Sequence, residues 1–382
     1  MTHAKASERV IADPLGWEKT TKRELKGRAL IAMRVTQVTK GVDCFMGKIG
    51  LTTTVPVEVI FAAGDTPVDL NNIFITSSEA MRRVEEAELA GYPRSVCGWI
   101  KGLYTTALHN PDIQRIIAVT QGDCSNTHAL METWEVEGIK IIPFAFPYDR
   151  DPDMLRLQMD KLIGTLGTTW KGVNLQKKRL DQVRALAWEI DRLTWEENCV
   201  SGFENHLYLV SCSDFNGDPD GFALEMKNFI QTAREREPFS ERVREGSRGK
   251  RRELRLGFIG VPPIFPELYD FLEEHGARVV FNEVQRQFAM PFKTEDVVEQ
   301  YRLYTYPYKV FQRIEDIARE AERRQLDGII HYTQSFCYRQ IEDLIIRKKL
   351  DYPILTLEGE NPTGLDARSK MRVESFLSML ED

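Results

Sequence analysis

The sequence lacks the features that mark several common classes of protein. It has no run of about 18 apolar residues, and its first segment, MTHAKASERV, has no apolar signal core, so neither a membrane span nor a secretion signal is expected. It contains no G-x-x-x-x-G-K-[ST] and no G-x-G-x-x-G motif, so we expect neither a P-loop ATPase nor a dinucleotide-binding enzyme. It also lacks an excess of positive charge. The formal net charge of −7 argues against nucleic acid or an anionic membrane as a partner.

Cysteine is scarce and widely spaced. The chain has 6 cysteines in 382 residues and no C-x-x-C pair, which argues against zinc ribbons and ferredoxin-type clusters. We expect a cytoplasmic protein whose thiols are reduced, so a disulfide framework is not expected. Six unrelated, buried structural thiols remain one interpretation. The cysteines are Cys44, Cys97, Cys124, Cys199, Cys212 and Cys337.

The pattern of apolar residues predicts three regions. Residues 1–150 alternate strand-like and helical segments, residues 151–250 read as a helical middle region with a charged linker, and residues 251–382 return to the alternating pattern. Such alternation is typical of parallel sheets covered by helices. We therefore predict an α/β fold with two Rossmann-like parallel-sheet domains, 1–150 and 251–382, joined by the middle region.

Two short segments indicate an internal duplication of the α/β pattern. T-Q-G-D-C ends at Cys124 and T-Q-S-F-C ends at Cys337, each directly after a predicted strand and before a predicted helix. Ligands of open parallel sheets bind beyond the carboxyl ends of the strands, and helix N-termini favour thiolates. If the two domains face each other, both cysteines converge on an interdomain cleft. Cys97, in R-S-V-C, would be the third thiol there.

At these residues the chain resembles the 2-hydroxyacyl-CoA dehydratase and benzoyl-CoA reductase subunit family. The resemblance covers most of the chain and includes V-P-x-E-x-I-x-A-A-G, Val55 to Gly64, besides the three cysteine segments. It implies that Cys97, Cys124 and Cys337 bind one 4Fe–4S cluster. It also implies a separate ATP-hydrolysing iron–sulfur activator that supplies low-potential electrons.

The chain departs from the common dehydratase pattern in two places. Threonines stand at 52–54, where many members carry a cysteine, and the middle region around Cys199 and Cys212 differs. In these respects it is similar to the double-cubane cluster branch, where six cysteines hold two bridged cubanes as an 8Fe–9S cluster. The resemblance would then make Cys44, Cys199 and Cys212 the second triad.

The function expected first is therefore an iron–sulfur reductase. It would be a homodimer that carries a double-cubane cluster and reduces small molecules with electrons from the activator. One alternative is a 2-hydroxyacyl-CoA dehydratase subunit with a single 4Fe–4S cluster. Others are a non-catalytic electron-transfer protein and a cluster-free structural protein.

Three further residues are candidates for chemistry near a cluster. His206, in E-N-H, could donate protons, although a satisfied structural histidine explains it as well. Glu58 of the V-P-x-E segment could be a buried carboxylate with a raised pKa, or part of an amphipathic helix. His128 lies four residues after Cys124, on the same face if the helix starts at once, and could hydrogen-bond a sulfur.

Overall fold

Two four-stranded parallel sheets form the frame of the computed structural model, which describes residues 47–239, 252–265 and 267–381. The strands are β1 Lys48–Leu51, β2 Thr66–Asp69, β3 Arg115–Gln121, β4 Lys140–Ala145, β5 Leu254–Gly260, β6 Ala277–Asn282, β7 Gly328–Gln334 and β8 Ile354–Gly359. Their spatial order is β2-β1-β3-β4 and β6-β5-β7-β8, and every pairing is parallel. The predicted α/β fold with two parallel-sheet domains is confirmed.

The second sheet repeats the strand order of the first, strand for strand. The long interior strands β3 and β7 hold equivalent places between a central and an edge strand. Their buried stretches, such as Ile116–Val119, are almost continuously apolar because helices cover both faces of the sheet. The shared topology agrees with the internal duplication, and it places the two T-Q-x-x-C segments after equivalent strands.

Helices surround and connect the two sheets. They are α1 Val57–Ala62, α2 Leu70–Thr76, α3 Ala80–Leu89, α4 Gly98–Leu108, α5 Thr127–Val136, α6 Pro152–Leu166, α7 Trp170–Trp195, α8 Gly202–Val210, α9 Pro219–Arg234, α10 Leu268–Glu274, α11 Glu283–Phe288, α12 Val297–Leu303, α13 Val310–Arg323, α14 Asp343–Lys349 and α15 Ala367–Glu381. A short 3₁₀ helix, Tyr338–Glu342, precedes α14.

The middle helices begin and end at recognisable local signals. Helix α6 starts with Pro152 behind the capping side chain of Asp151 and ends at Gly167, which has a left-handed backbone (φ +70°). Helix α8 opens with a capping box in which Ser201 and Glu204 bind each other's backbone. These start and stop signals explain why the middle region folds as several helices rather than as one long helix.

The middle helices share a core with both α/β halves. The largest apolar cluster combines residues of β1, β3 and β4 with residues of α6 to α9 and with the segment 284–308. All described residues belong to one compact unit, Gly41–Asp382. The middle region therefore packs against the sheets and shares their core. The domain boundaries 1–150, 151–250 and 251–382 stay a prediction.

Some sequence predictions fall on parts of the chain that the structure does not describe. Cys44 and positions 240–251 of the charged linker lie outside the described residues. In the ranges that are described, no helix is both long enough and apolar enough to cross a membrane.

Candidate functional site

Three cysteines lie where helices and strands of both halves meet. Cys124 follows β3 and Cys337 follows β7, so each lies at the carboxyl end of the equivalent interior strand. Cys97 occupies the N-cap position of α4. Since parallel strands present their carboxyl ends at one edge of the sheet, the fold places these turns at the ligand-binding edge of each half.

The three thiols are near enough for a charge on one to act on another. Burial raises the pKa of Cys97 to about 11, and a charge on Cys337 adds to this rise. Burial, with Asp123 next, raises the pKa of Cys124 to about 12, and charges on both Cys97 and Cys337 contribute. The structure therefore brings the thiols of Cys97, Cys124 and Cys337 together, although 240 positions separate the first from the last.

Backbone amides favour the thiolate form at all three positions. The N–H groups of Trp99 and Ile100 lower the pKa of Cys97, that of Asn126 acts on Cys124, and that of Arg339 acts on Cys337. Amide dipoles directed at sulfur stabilise metal-bound thiolates.

Two glycines beside the cysteines let the halves approach closely. A Cβ on Gly98 would lie 2.6 Å from the carbonyl oxygen of Glu360, which follows β8. Gly122 has a φ of +105°, and a Cβ there would lie 2.7 Å from Cβ of Pro307. No larger side chain fits at either position without a backbone shift. The turns that carry Cys97 and Cys124 are therefore pressed against the second half.

Arg339 links the two halves at the same place and was missed by the sequence reasoning. Its Nη2 donates to the carbonyl oxygens of Tyr306, at 3.0 Å, and Gly122, at 3.3 Å, while Nη1 donates to Glu342. The guanidinium is buried and lies 4.4 Å from the ring centre of Tyr306. Its position two residues after Cys337 was the available signal.

A further group of polar side chains lies near the Cys124 turn. Burial raises the pKa of Asp123 to about 7, and the nearby charge of Arg339 opposes the rise. The buried hydroxyls of Thr54 and Tyr304 face each other, yet neither has a hydrogen-bond partner of good geometry among the described residues. Such buried and unpaired groups are expected where a ligand completes the interactions.

Cys199 and Cys212 lie elsewhere, in the large apolar cluster of the middle helices. The Cys199 thiol faces the carbonyl of Leu193 at 3.8 Å, and the Cys212 thiol faces that of Tyr208 at 3.4 Å. Burial raises the pKa of both, and no cysteine contributes to either rise. The structure does not bring this pair to the other three thiols.

His206 lies in an aromatic and amide network beside β6. Gln285 Nε2 donates to His206 Nδ1 at 2.9 Å, the hydroxyl of Tyr269 lies 3.3 Å from the same nitrogen, and the ring stacks on Phe203. Burial lowers the pKa of His206 to about 4, so the ring is neutral at pH 7. A proton-donating role for His206 stays a prediction, and its contacts are those of a satisfied structural histidine.

Glu58 is buried as predicted, but the expected rise of its pKa is wrong. Burial acts to raise the pKa of Glu58. The positive charge of Arg184 and the hydrogen bonds from Tyr301 and Gln300 together outweigh burial, so the pKa is lowered. Arg184 Nη2 lies 2.7 Å from Glu58 Oε1, and Tyr301 donates to Oε2 at 2.8 Å. Glu58 is therefore ionised and joins α1 to α7 and α12.

His128 is exposed, and its Nε2 lies 2.9 Å from the carbonyl oxygen of Thr120 at the end of β3. This contact orients the ring toward the strand that leads to Cys124. A hydrogen bond from His128 to a sulfur stays a prediction.

In the described part of the chain, no group of three or more His, Cys, Asp or Glu side chains is arranged to hold a metal ion, and this holds for Cys97, Cys124 and Cys337 as well. Ligation of a cluster by these three thiols stays a prediction.

Comparison with known proteins covers nearly all of this architecture. A family model described as 2-hydroxyglutaryl-CoA dehydratase, D-component, matches residues 52–380, which include every strand except β1, the middle helices and the three converging cysteines. A search of curated proteins finds no match. The predicted relationship to the 2-hydroxyacyl-CoA dehydratases is confirmed, whereas the match does not distinguish the double-cubane branch. The chain belongs to the 2-hydroxyglutaryl-CoA dehydratase D-component family.

Proposed function

We propose that the chain binds one 4Fe–4S cluster through Cys97, Cys124 and Cys337 and acts as the D-type component of a 2-hydroxyacyl-CoA dehydratase. The observation that carries the proposal is that three thiols lie near one another. Two of them follow the equivalent strands β3 and β7, and the third precedes α4. The substrate is a 2-hydroxyacyl-CoA thioester, which loses water to give the enoyl-CoA. Electrons come from a separate ATP-hydrolysing iron–sulfur activator, because the chain has no phosphate-binding loop of its own.

The residues around the thiols fit such a cluster. The buried cations Lys101 and Arg339 lower the pKa values of Cys97 and Cys337, respectively, and so offset the negative charge of thiolate ligands. Amide N–H groups face each sulfur, and the glycines at 98 and 122 let the turns of Cys97 and Cys124 lie close to the second half. When bound, the cluster supplies low-potential electrons and one iron without a cysteine ligand.

The polar groups near the Cys124 turn would hold the substrate and its protons. The Asp123 carboxyl, with a pKa of about 7, can hold or release a proton near neutrality, and the hydroxyls of Tyr304 and Thr54 can donate hydrogen bonds to a carbonyl or a hydroxyl. The positive charge of Arg339 acts to lower the pKa of Asp123, against the rise caused by burial. These groups lie on the Cys124 side of the site.

A double-cubane reductase is the alternative with the next best support. It needs a second set of three thiols, and the surroundings of Cys199 and Cys212 favour packing over ligation. Cys44 lies outside the described residues. The geometry thus favours one cubane, with about four irons per chain rather than about eight. A homodimer stays a prediction.

The proposal is tested with anaerobically purified protein, ATP, a reduced iron–sulfur ATPase of the activator class and 2-hydroxyglutaryl-CoA as the probe substrate. We expect about four irons per chain and ATP-dependent formation of the enoyl-CoA. Omission of ATP or of the activator is the control and should abolish the product. About eight irons per chain would support the double-cubane reductase, and a reducible cluster without water elimination would support an electron carrier.

A further inference from the structure

We infer that Arg339 is a positioning residue that fastens the Cys124 turn to the Cys337 turn and places a buried positive charge beside the bound cluster. The inference rests on the proposed function for the cluster itself. The fastening depends only on contacts within the chain.

The fastening runs from the second half to the first through backbone oxygens. Arg339 follows Cys337 in the 3₁₀ helix Tyr338–Glu342, and Nη2 reaches the carbonyl of Gly122, two residues before Cys124, across 217 positions of sequence. The same nitrogen donates to the carbonyl of Tyr306, whose neighbour Pro307 packs on Gly122. The Arg339 side chain therefore contacts the Cys124 turn, the segment around Tyr306 and its own 3₁₀ helix. The separation of these segments sets the distance between the thiols of Cys124 and Cys337.

The guanidinium is held rigidly in this position. It lies between two rings, 4.4 Å from the centre of Tyr306 and 5.1 Å from that of Tyr338, and its other end donates to Glu342 at 3.1 Å. Arginine is suited to this role because its planar fork binds several acceptors at once while its face stacks on aromatic rings. A lysine could carry the charge but could not make both contacts.

The charge of Arg339 faces the candidate ligands. Its Nη2 lies 3.3 Å from the carbonyl oxygen of Gly122, two residues before Cys124, and its backbone follows Cys337 by two positions, while Glu342 at 3.1 Å is its carboxylate partner. A buried cation favours the more negative state of a nearby redox centre. Removal of the charge should therefore make the cluster harder to reduce.

Two substitutions separate the fastening from the charge. Arg339→Lys keeps the positive charge but loses the planar guanidinium that binds several acceptors at once. Arg339→Gln loses both the charge and the guanidinium. Lys348→Gln is the matched control, since it removes one positive charge from an exposed position on α14 in the same region. The fastening is measured in the iron-free protein by amide hydrogen exchange of residues 120–126 and 303–309. The charge is measured in the cluster-loaded protein by an EPR-monitored redox titration.

We expect exchange in both segments to be several-fold faster in Arg339→Lys and Arg339→Gln than in wild type and Lys348→Gln. The midpoint potential should shift to more negative values in Arg339→Gln and stay near wild type in Arg339→Lys and Lys348→Gln. Exchange at the wild-type rate in Arg339→Lys, or a wild-type potential in Arg339→Gln, would overturn the inference. If Arg339→Gln does not fold, the amide hydrogen exchange of Arg339→Lys alone decides whether Arg339 fastens the two turns. A wild-type protein that binds no iron would refute the proposed function and leave the exchange result valid.

Discussion

Replacement of Cys124 or Cys337 by serine is expected to lower bound iron from about four atoms per chain to less than about one and to abolish water elimination with it. Each thiol is one of only three proposed protein ligands, and a serine hydroxyl at neutral pH is a poor substitute for a thiolate. Cys97→Ser should behave in the same way, because the charges of the three thiols act on one another. Iron and acid-labile sulfide in anaerobically reconstituted protein are the measurements.

Cys199→Ser is the matched control for the loss of iron. It removes a buried thiol of the same chemistry that contacts the carbonyl of Leu193 and lies apart from the other three. We expect its iron content and activity to equal those of wild type. Cys212→Ser should also keep its iron, whereas a loss of half the iron there would indicate a second cubane. Full iron and activity in both Cys124→Ser and Cys337→Ser would refute the ligand assignment.

Replacement of Glu58 by leucine is expected to lower the free energy of unfolding by about 3–5 kcal/mol. The substitution leaves Arg184, whose side chain is 1% exposed, without its main carboxylate partner. It also leaves the Gln300 amide without its acceptor, while the Tyr301 hydroxyl keeps only the carbonyl oxygen of Val55. Urea unfolding of the anaerobic protein at pH 7 measures the change.

The control for Glu58 is an exposed ion pair at the C-terminal end of α7, the helix that carries Arg184. Glu196→Gln breaks the pair with Arg192, which is partly exposed, and should cost less than about 1 kcal/mol. A double variant, Glu58→Leu with Arg184→Leu, should recover part of the lost stability, because no buried charge is then left unpaired. A midpoint for Glu58→Leu equal to that of Glu196→Gln would show that the buried pair contributes little.

The frame of the fold could be predicted because its signals are local. The interior strands β3 and β7 are apolar runs that sheets covered on both faces require, and Gly276, with a φ of +78°, follows α10 where the pattern predicts a stop. The repeated T-Q-x-x-C segments predicted two equivalent turns after strands for the same reason, and the structure has these turns after β3 and β7. The turn after a buried parallel strand has a defined place in this class of fold.

The parts that were missed depend on contacts between distant segments. The pKa of Glu58 falls because Arg184, 126 positions away, pairs with it, and no local pattern announces that partner. Arg339 gains its role from Gly122 in the other half. The number of cysteines equals the ligand count of a double cubane, and a second triad stays a prediction; the structure adds that Cys199 and Cys212 lie among apolar side chains, which the sequence pattern did not indicate.

Iron-edge anomalous diffraction from anaerobically grown crystals tests the central claim most directly. The account predicts one compact iron peak within bonding distance of the sulfur atoms of Cys97, Cys124 and Cys337, in the cleft that Gly98 and Gly122 allow to close. Iron bound at Cys199 or Cys212 instead, or a cleft without iron in a protein that is active and contains iron, would contradict it.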